Sequence, residues 1–188
     1  MTSKMTDQRV ALLRGVNVGR AKRVAMSDLC KLIEDLGCAH VRALLNSGNV
    51  VFASPASSSV IAAQIEAALP QRLNVSARVV GLSAEVFLNI IADNPLLDIA
   101  TDPSRLMVAV PLLAEDIARL HPLLEQAWAP EVFAVGPRAA YFWCPDGLSE
   151  SRLSVAIERA LKKEVTARNW STMLKIRDRL EAPTREAR

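Results

Sequence analysis

Three cysteines, Cys30, Cys38 and Cys144, are all that the 188-residue chain holds. The number is odd and no CxxC pair occurs, so a disulfide framework is not expected and a reducing compartment fits best. Only two histidines are present, His40 and His121, far apart in sequence. A histidine-rich metal site is thereby excluded, and the scattered cysteines lack zinc spacing. No cofactor and no metal is expected. No run of about eighteen apolar residues exists, so no membrane-spanning helix is predicted. The N-terminal MTSKMTDQRV has no apolar core and does not read as a secretory signal, which makes the cytoplasm the expected location. No Ser-His-Asp or Cys-His pattern offers itself, and Asp28, Glu34, Asp35 and Glu66 read as solvated helix faces.

What is present is an ordinary globular composition. Hydrophobic residues make up 51% and charged residues 23%, enough apolar material for one large or two small cores. The net charge of +3 permits a phosphate-bearing partner without demanding one.

Periodicity organises the chain into two similar halves. Gln8–Arg14 reads as a strand. Ser27 is the expected cap of a helix with Leu29, Leu32, Ile33 and Leu36 at helical spacing, stopped by Gly37. Strands over Val41–Asn46 and Asn49–Ala53 flank a Ser47-Gly48 hairpin turn. Ser57 opens a second helix, Val75–Gly81 reads as a fourth strand, and Ser83 caps a further helix carrying Phe87, Ile90 and Ile91. The order then recurs. A strand at Arg105–Pro111 precedes a helix with Ile117, Leu120 and Leu124 on one face. Strands at Glu131–Val135 and Ala139–Cys144 and a helix bearing Leu153, Ile157 and Leu161 follow. A short strand at Glu164–Ala167 and a last helix from Trp170 complete the set. Each half is a βαββαβ unit with an extra helix, so the expected fold is α+β, two tandem ferredoxin-like units with antiparallel sheets. Residues 1–94 form the first half, 95–104 a Pro- and Asp-rich linker, 105–181 the second half, and 182–188 a charged tail.

One connection is too long. Between the first strand and first helix runs RGVNVGRAKRVAM, Arg14 to Met26. Such βα connections usually take about two to six residues. This one contains Gly15, Asn17 and Gly19, four basic residues (Arg14, Arg20, Lys22, Arg23) and no acid. In a βαββαβ unit the first strand, the hairpin between the second and third strands, and the entry to the fourth strand all meet at one end of the sheet. Arg14, Asn17, Lys22, Arg23, Ser47, Gly48 and Asn49 therefore converge, with bare backbone at Gly15 and Gly19, in a place suited to an anion. The competing reading is structural: glycines that permit positive φ, asparagines that close turns, and a solvated basic rim. The loop is not a Walker A motif, since it lacks the GK[ST] ending.

Two further clusters stand out. Arg168-Asn169-Trp170 is read either as a helix cap with a core tryptophan or as a ligand-contacting segment. Tyr141-Phe142-Trp143 alternates on a strand, as base-stacking aromatics do in RNA-recognition domains, but core packing is the commoner use.

The segments LLRGVNVG (Leu12–Gly19), the basic stretch to Met26, SGNVVF (Ser47–Phe52) and RNW (Arg168–Trp170) together resemble a bacterial domain-of-unknown-function family, the one numbered sixteen ninety-seven. Its hallmark runs LLRGINVGG, KVPM, SGNVVF and TTRNWNT. Here Arg20 stands for the second glycine, Ala25 for the proline, and Ala167 and Ser171 depart near the end. The resemblance implies a ferredoxin-like α+β architecture and three signature segments, and no chemistry. The leading functional expectation is binding of a phosphate- or carboxylate-bearing small ligand at the loop after the first strand. An alternative is a phosphoryl or acyl-phosphate hydrolase or transferase, by fold-level analogy with acylphosphatases, whose sequence motif this chain lacks. RNA or DNA binding is a third.

Overall fold

In a computed structural model, residues 7–17 and 23–182 are described. The first sheet consists of β1 (Gln8–Leu13), β2 (Ala39–Leu44), β3 (Asn49–Ala53) and β4 (Val79–Ser83), in the spatial order β2-β3-β1-β4. The second consists of β5 (Leu106–Pro111), β6 (Val132–Val135), β7 (Ala140–Trp143) and β8 (Val165–Asn169), in the order β6-β7-β5-β8. Every pairing is antiparallel, and the two orders are the same when each sheet is numbered from its own first strand. The expected α+β fold, with two antiparallel four-stranded sheets of like strand order, is therefore observed.

The helices are α1 (Met26–Asp35), α2 (Ser58–Leu73), α3 (Ala84–Ala92), α4 (Arg152–Ala160) and α5 (Trp170–Glu181). Helix α1 buries Leu29, Leu32 and Ile33 of the expected stripe, while Leu36 falls at the C-cap and is partly buried; each fully buried side chain of this kind is worth roughly 1.5–3 kcal/mol. Ser27 does not cap it. Ala25 occupies the cap position without a side-chain bond, and Ser27 lies inside the first turn. Gly37 follows at φ 87°, as a helix stop requires. Ser57 does cap α2, accepting from the Val60 amide. The appended helices start alike. Ser83, the last residue of β4, accepts from the Val86 amide, and Asn169, the last residue of β8, accepts from the Thr172 amide at 2.9 Å.

Two elements depart from expectation. After β5 the chain forms consecutive 3₁₀ turns over Ala114–Glu125 instead of an α-helix. Pro122 sits inside and has no N–H to give an α-helical ladder. The apolar residues then follow a period of three: Leu120 and Leu123 are buried, Ile117 packs partly against them, and Leu124 turns out to solvent at 46% exposure. The fourth strand begins at Val79, not Val75. β1 ends at Leu13, opposite Val79, so residues 75–78 run past the end of their partner strand.

Residues up to Leu88 together with those from Lys175 form one compact unit, and Asn89–Leu174 form another. The first has a core of Ala11, Leu13, Ile33, Val50, Phe52, Ile61, Ile65 and Leu69 between its sheet and α1 and α2. The second packs Met107, Ala109, Phe142, Leu120, Leu153 and Ile157 in the same way. Tyr141, on the opposite face of β7 from Phe142, is fully buried, and its hydroxyl donates to the Ile90 carbonyl at 2.8 Å. Trp143 is 9% exposed. The aromatic row is core, and it offers no open platform for stacked bases.

Candidate functional site

The loop after β1 and the β2–β3 hairpin meet, as topology requires. The Asn17 side chain is the staple between them. Its amide donates to the Val24 carbonyl at 2.9 Å and the Asn46 carbonyl at 2.7 Å, and its oxygen accepts from the Val24 amide at 2.7 Å. Asn17 itself has φ 56°, a left-handed conformation that asparagine tolerates better than most residues. Asn49, the first residue of β3, is fully buried, and its amide donates to the Leu44 carbonyl at 3.1 Å and to Ser47 Oγ at 2.9 Å. Gly48 is pinned under the loop: its carbonyl accepts from the Leu13 amide at 2.8 Å. Both asparagine amides thus spend their two donors on backbone and hairpin, the turn-closing role. Arg23 is exposed. Gly19 and Lys22, like Arg20, lie outside the described residues.

Beside this loop lies a groove of about 430 Å³, lined by Arg14, Gly15, Glu66, Pro70, Ser76, Ala77 and Arg78. The residues that overrun β1 form one wall. The Arg14 amide donates to the Arg78 carbonyl at 2.8 Å, which continues the β1–β4 register one step and sets the two arginines side by side. Helix α2 supplies the other wall. Glu66, expected on a solvated face, instead accepts from Arg78 Nη1 at 2.5 Å with one oxygen and from the Val79 amide at 2.9 Å with the other. Its side chain is 29% exposed and that of Arg78 52%, so the pair is partly screened and is worth at most about 1 kcal/mol. Asp35 is also paired, with Arg72. Sequence reasoning brought Arg14 and Gly15 to this end of the sheet and missed Arg78, Glu66 and Ser76. The signal was available in the strand order, because any residue following β1 must face the one preceding β4.

Arg168, Asn169 and Trp170 belong to the second unit. Arg168 Nη1 donates to Thr166 Oγ1 and to the Ala167 carbonyl, both at 2.8 Å. Burial pushes this guanidinium down to about 10, still charged at neutral pH. Asn169 caps α5, and Trp170 is 6% exposed.

A second polar cluster sits at the start of α4. Glu131 accepts from the Arg152 amide at 2.9 Å, the Leu153 amide at 3.3 Å and the Ser151 hydroxyl. Ser151 Oγ also accepts from the Ser154 amide at 3.0 Å, and the Arg152 guanidinium stands 5.7 Å over the Trp128 ring. Cys144 is buried here, and burial pushes its thiol up, with a partial offset from its bond to Ser151. A thiol held neutral is not a nucleophile at neutral pH. The cluster is a helix cap: a carboxylate at the positive end of α4 that satisfies its open amides. Glu131→Ala is expected to cost about 2 kcal/mol, because the amides and hydroxyl lose a buried acceptor. Chemical denaturation checks it, and an unchanged midpoint would show that water replaces the carboxylate without loss.

All three cysteines are free, and among the described residues no group of three or more His, Cys, Asp or Glu could hold a metal. No described helix is long and apolar enough to cross a membrane. Residues 5–141 match a protein family of unknown function, DUF1697. The chain belongs to the DUF1697 family. That span contains the loop, the hairpin and every described residue lining the groove, and it ends before Arg168–Trp170. No curated protein matches. Among solved structures, the conserved bacterial protein SP0830 from Streptococcus pneumoniae is similar, with a TM-score of 0.75 and 22% identity over 93% of this chain and 99% of that one. At that identity the likeness speaks for the fold alone.

Proposed function

We propose that this DUF1697 member binds a small phosphate- or carboxylate-bearing ligand in the groove beside Arg14 and Arg78. The observation that carries the reading is the pairing of these two arginines, through one backbone bond, along a groove whose rim includes the glycine backbone of Gly15. Guanidinium groups are planar forks that match carboxylate and phosphate oxygens two at a time. The volume, about 430 Å³, falls within the range of about 300–1,000 Å³ typical of small-ligand sites. Asn17, Gly48 and Asn49 then serve the ligand indirectly, by holding the loop and hairpin in register. The reading is one of binding and not of turnover. The groove's carboxylate, Glu66, is engaged by Arg78 and the Val79 amide and acts in this reading as a binding group.

Thermal unfolding of the wild type and Arg14→Ala against phosphate, nucleotides, acyl phosphates and short RNA tests it. A ligand present at a hundred times its Kd adds about 2.7 kcal/mol of stability, or roughly 5–11 °C in midpoint. The wild type is expected to gain that shift with a small anion and Arg14→Ala to lose most of it. Equal shifts in both proteins would reject the groove. Turnover of acetyl phosphate would move the assignment to a hydrolase. A shift with RNA alone, collapsing between low and physiological salt, would move it to nucleic acid.

A further inference from the structure

The groove is not purely basic. Arg14 and Arg78 contribute two positive charges and Glu66 one negative, and all three line the same space. Glu66 is held there rather than swinging in solvent: one oxygen meets Arg78 and the other the Val79 amide, at the first residue of β4. A carboxylate oxygen has two lone-pair sites, so each oxygen retains capacity for one more donor after these bonds. A bare, highly charged anion entering beside Arg14 would meet that fixed negative charge at close range. A ligand with a donor next to its anion would not.

We infer that the ligand carries a hydroxyl or ammonium group adjacent to its phosphate or carboxylate, and that Glu66 receives this donor while the arginines receive the anion. The inference rests on the anion-binding reading of the same groove. It makes Glu66 a specificity residue: it penalises simple anions and favours those presenting a donor at the right side. Serine 76, on the same wall, adds a neutral hydroxyl that can serve either part.

Isothermal titration of the full chain with three phosphate monoesters tests it. Methyl phosphate has no donor besides the phosphate, ribose 5-phosphate adds hydroxyls, and phosphoethanolamine adds an ammonium. The wild type is expected to bind one of the two donor-bearing esters at least about tenfold more tightly than methyl phosphate, since a hydrogen bond to a charged group is worth that much or more. Which of the two it prefers identifies the donor. Glu66→Gln keeps an oxygen for the Val79 amide, and its circular dichroism spectrum checks that it folds. In that variant methyl phosphate should bind more tightly than to the wild type, and the preference should shrink to within about threefold. Arg14-dependent binding of methyl phosphate with the same order and ratio in wild type and Glu66→Gln would overturn this inference and leave the anion site standing. Absence of binding by all three esters, and by lactate, a carboxylate with an adjacent hydroxyl, would overturn both.

Discussion

Gly81→Ala is expected to destabilise the first unit by about 3 kcal/mol, the upper end of what overpacking a well-filled core costs. Gly81 lies in β4 opposite Ala11 of β1, on the face that α2 covers. A Cβ built there would stand 2.2 Å from the Ser58 carbonyl oxygen and 2.8 Å from Ala62 Cβ. Neither neighbour can yield by changing a rotamer. The first is backbone in the opening turn of α2, and the second is the stub of an alanine in the following turn. The whole N-terminal end of α2 has to lift, and with it Ile61, which is 1% exposed in the core. In urea the midpoint should fall by roughly 1–2 M with little change in slope. Gly37→Ala is the useful comparison. Its backbone is left-handed at φ 87°, but nothing lies within 4 Å of an added Cβ, so only conformational strain of about 1–2 kcal/mol applies. If Gly81→Ala unfolded at the wild-type midpoint, the close approach of helix to strand would be wrong.

Much of this fold was legible because the apolar periods are strong and local. The Leu29, Leu32, Ile33 stripe, the Ser57 and Ser83 caps and the Gly37 stop each follow from a few neighbouring residues, and local signals survive folding when tertiary packing agrees with them. The failures share a different cause. Whether Val75–Arg78 pairs depends on where β1 ends, which is a property of another strand. The segment around Leu120 has apolar residues that suit either helical period, and Pro122 tips it to the tighter one.

The candidate site divides along the same line. Arg14 and Gly15 could be placed from the long connection alone. Glu66 could not, because on α2 it reads as one more exposed acid, and only the arrival of β4 gives its two oxygens Arg78 and the Val79 amide. Asn17 was visible as an unusual loop residue, but its work is to tie Val24 and Asn46 to one point, across a sequence gap that no local pattern reveals. The polar residues of the signature segments thus separate into those that build the loop and those that face the groove.

Gly48→Ala should show how closely the two are coupled. Gly48 has φ 72°, and an added Cβ would stand 2.5 Å from Val16 Cγ2 and 2.8 Å from Leu13 Cβ. Strain of about 1–2 kcal/mol for a side chain in the left-handed region adds to an overpacking cost of about 1–3 kcal/mol, for a total of roughly 3 kcal/mol. Val16 is buried between the groove residues Arg14 and Gly15 and the staple Asn17, so pushing it outward moves the loop as well as the hairpin. Anion binding in the groove should weaken together with stability. Gly48→Asn separates the two causes. Asparagine tolerates the left-handed backbone, but its Cβ meets the same two neighbours. If packing dominates, Gly48→Asn recovers less than about half of the loss in urea midpoint. If asparagine restored the wild-type midpoint, backbone strain would be the whole effect, and the hairpin would be seated more loosely under the loop than the Leu13 and Val16 contacts require.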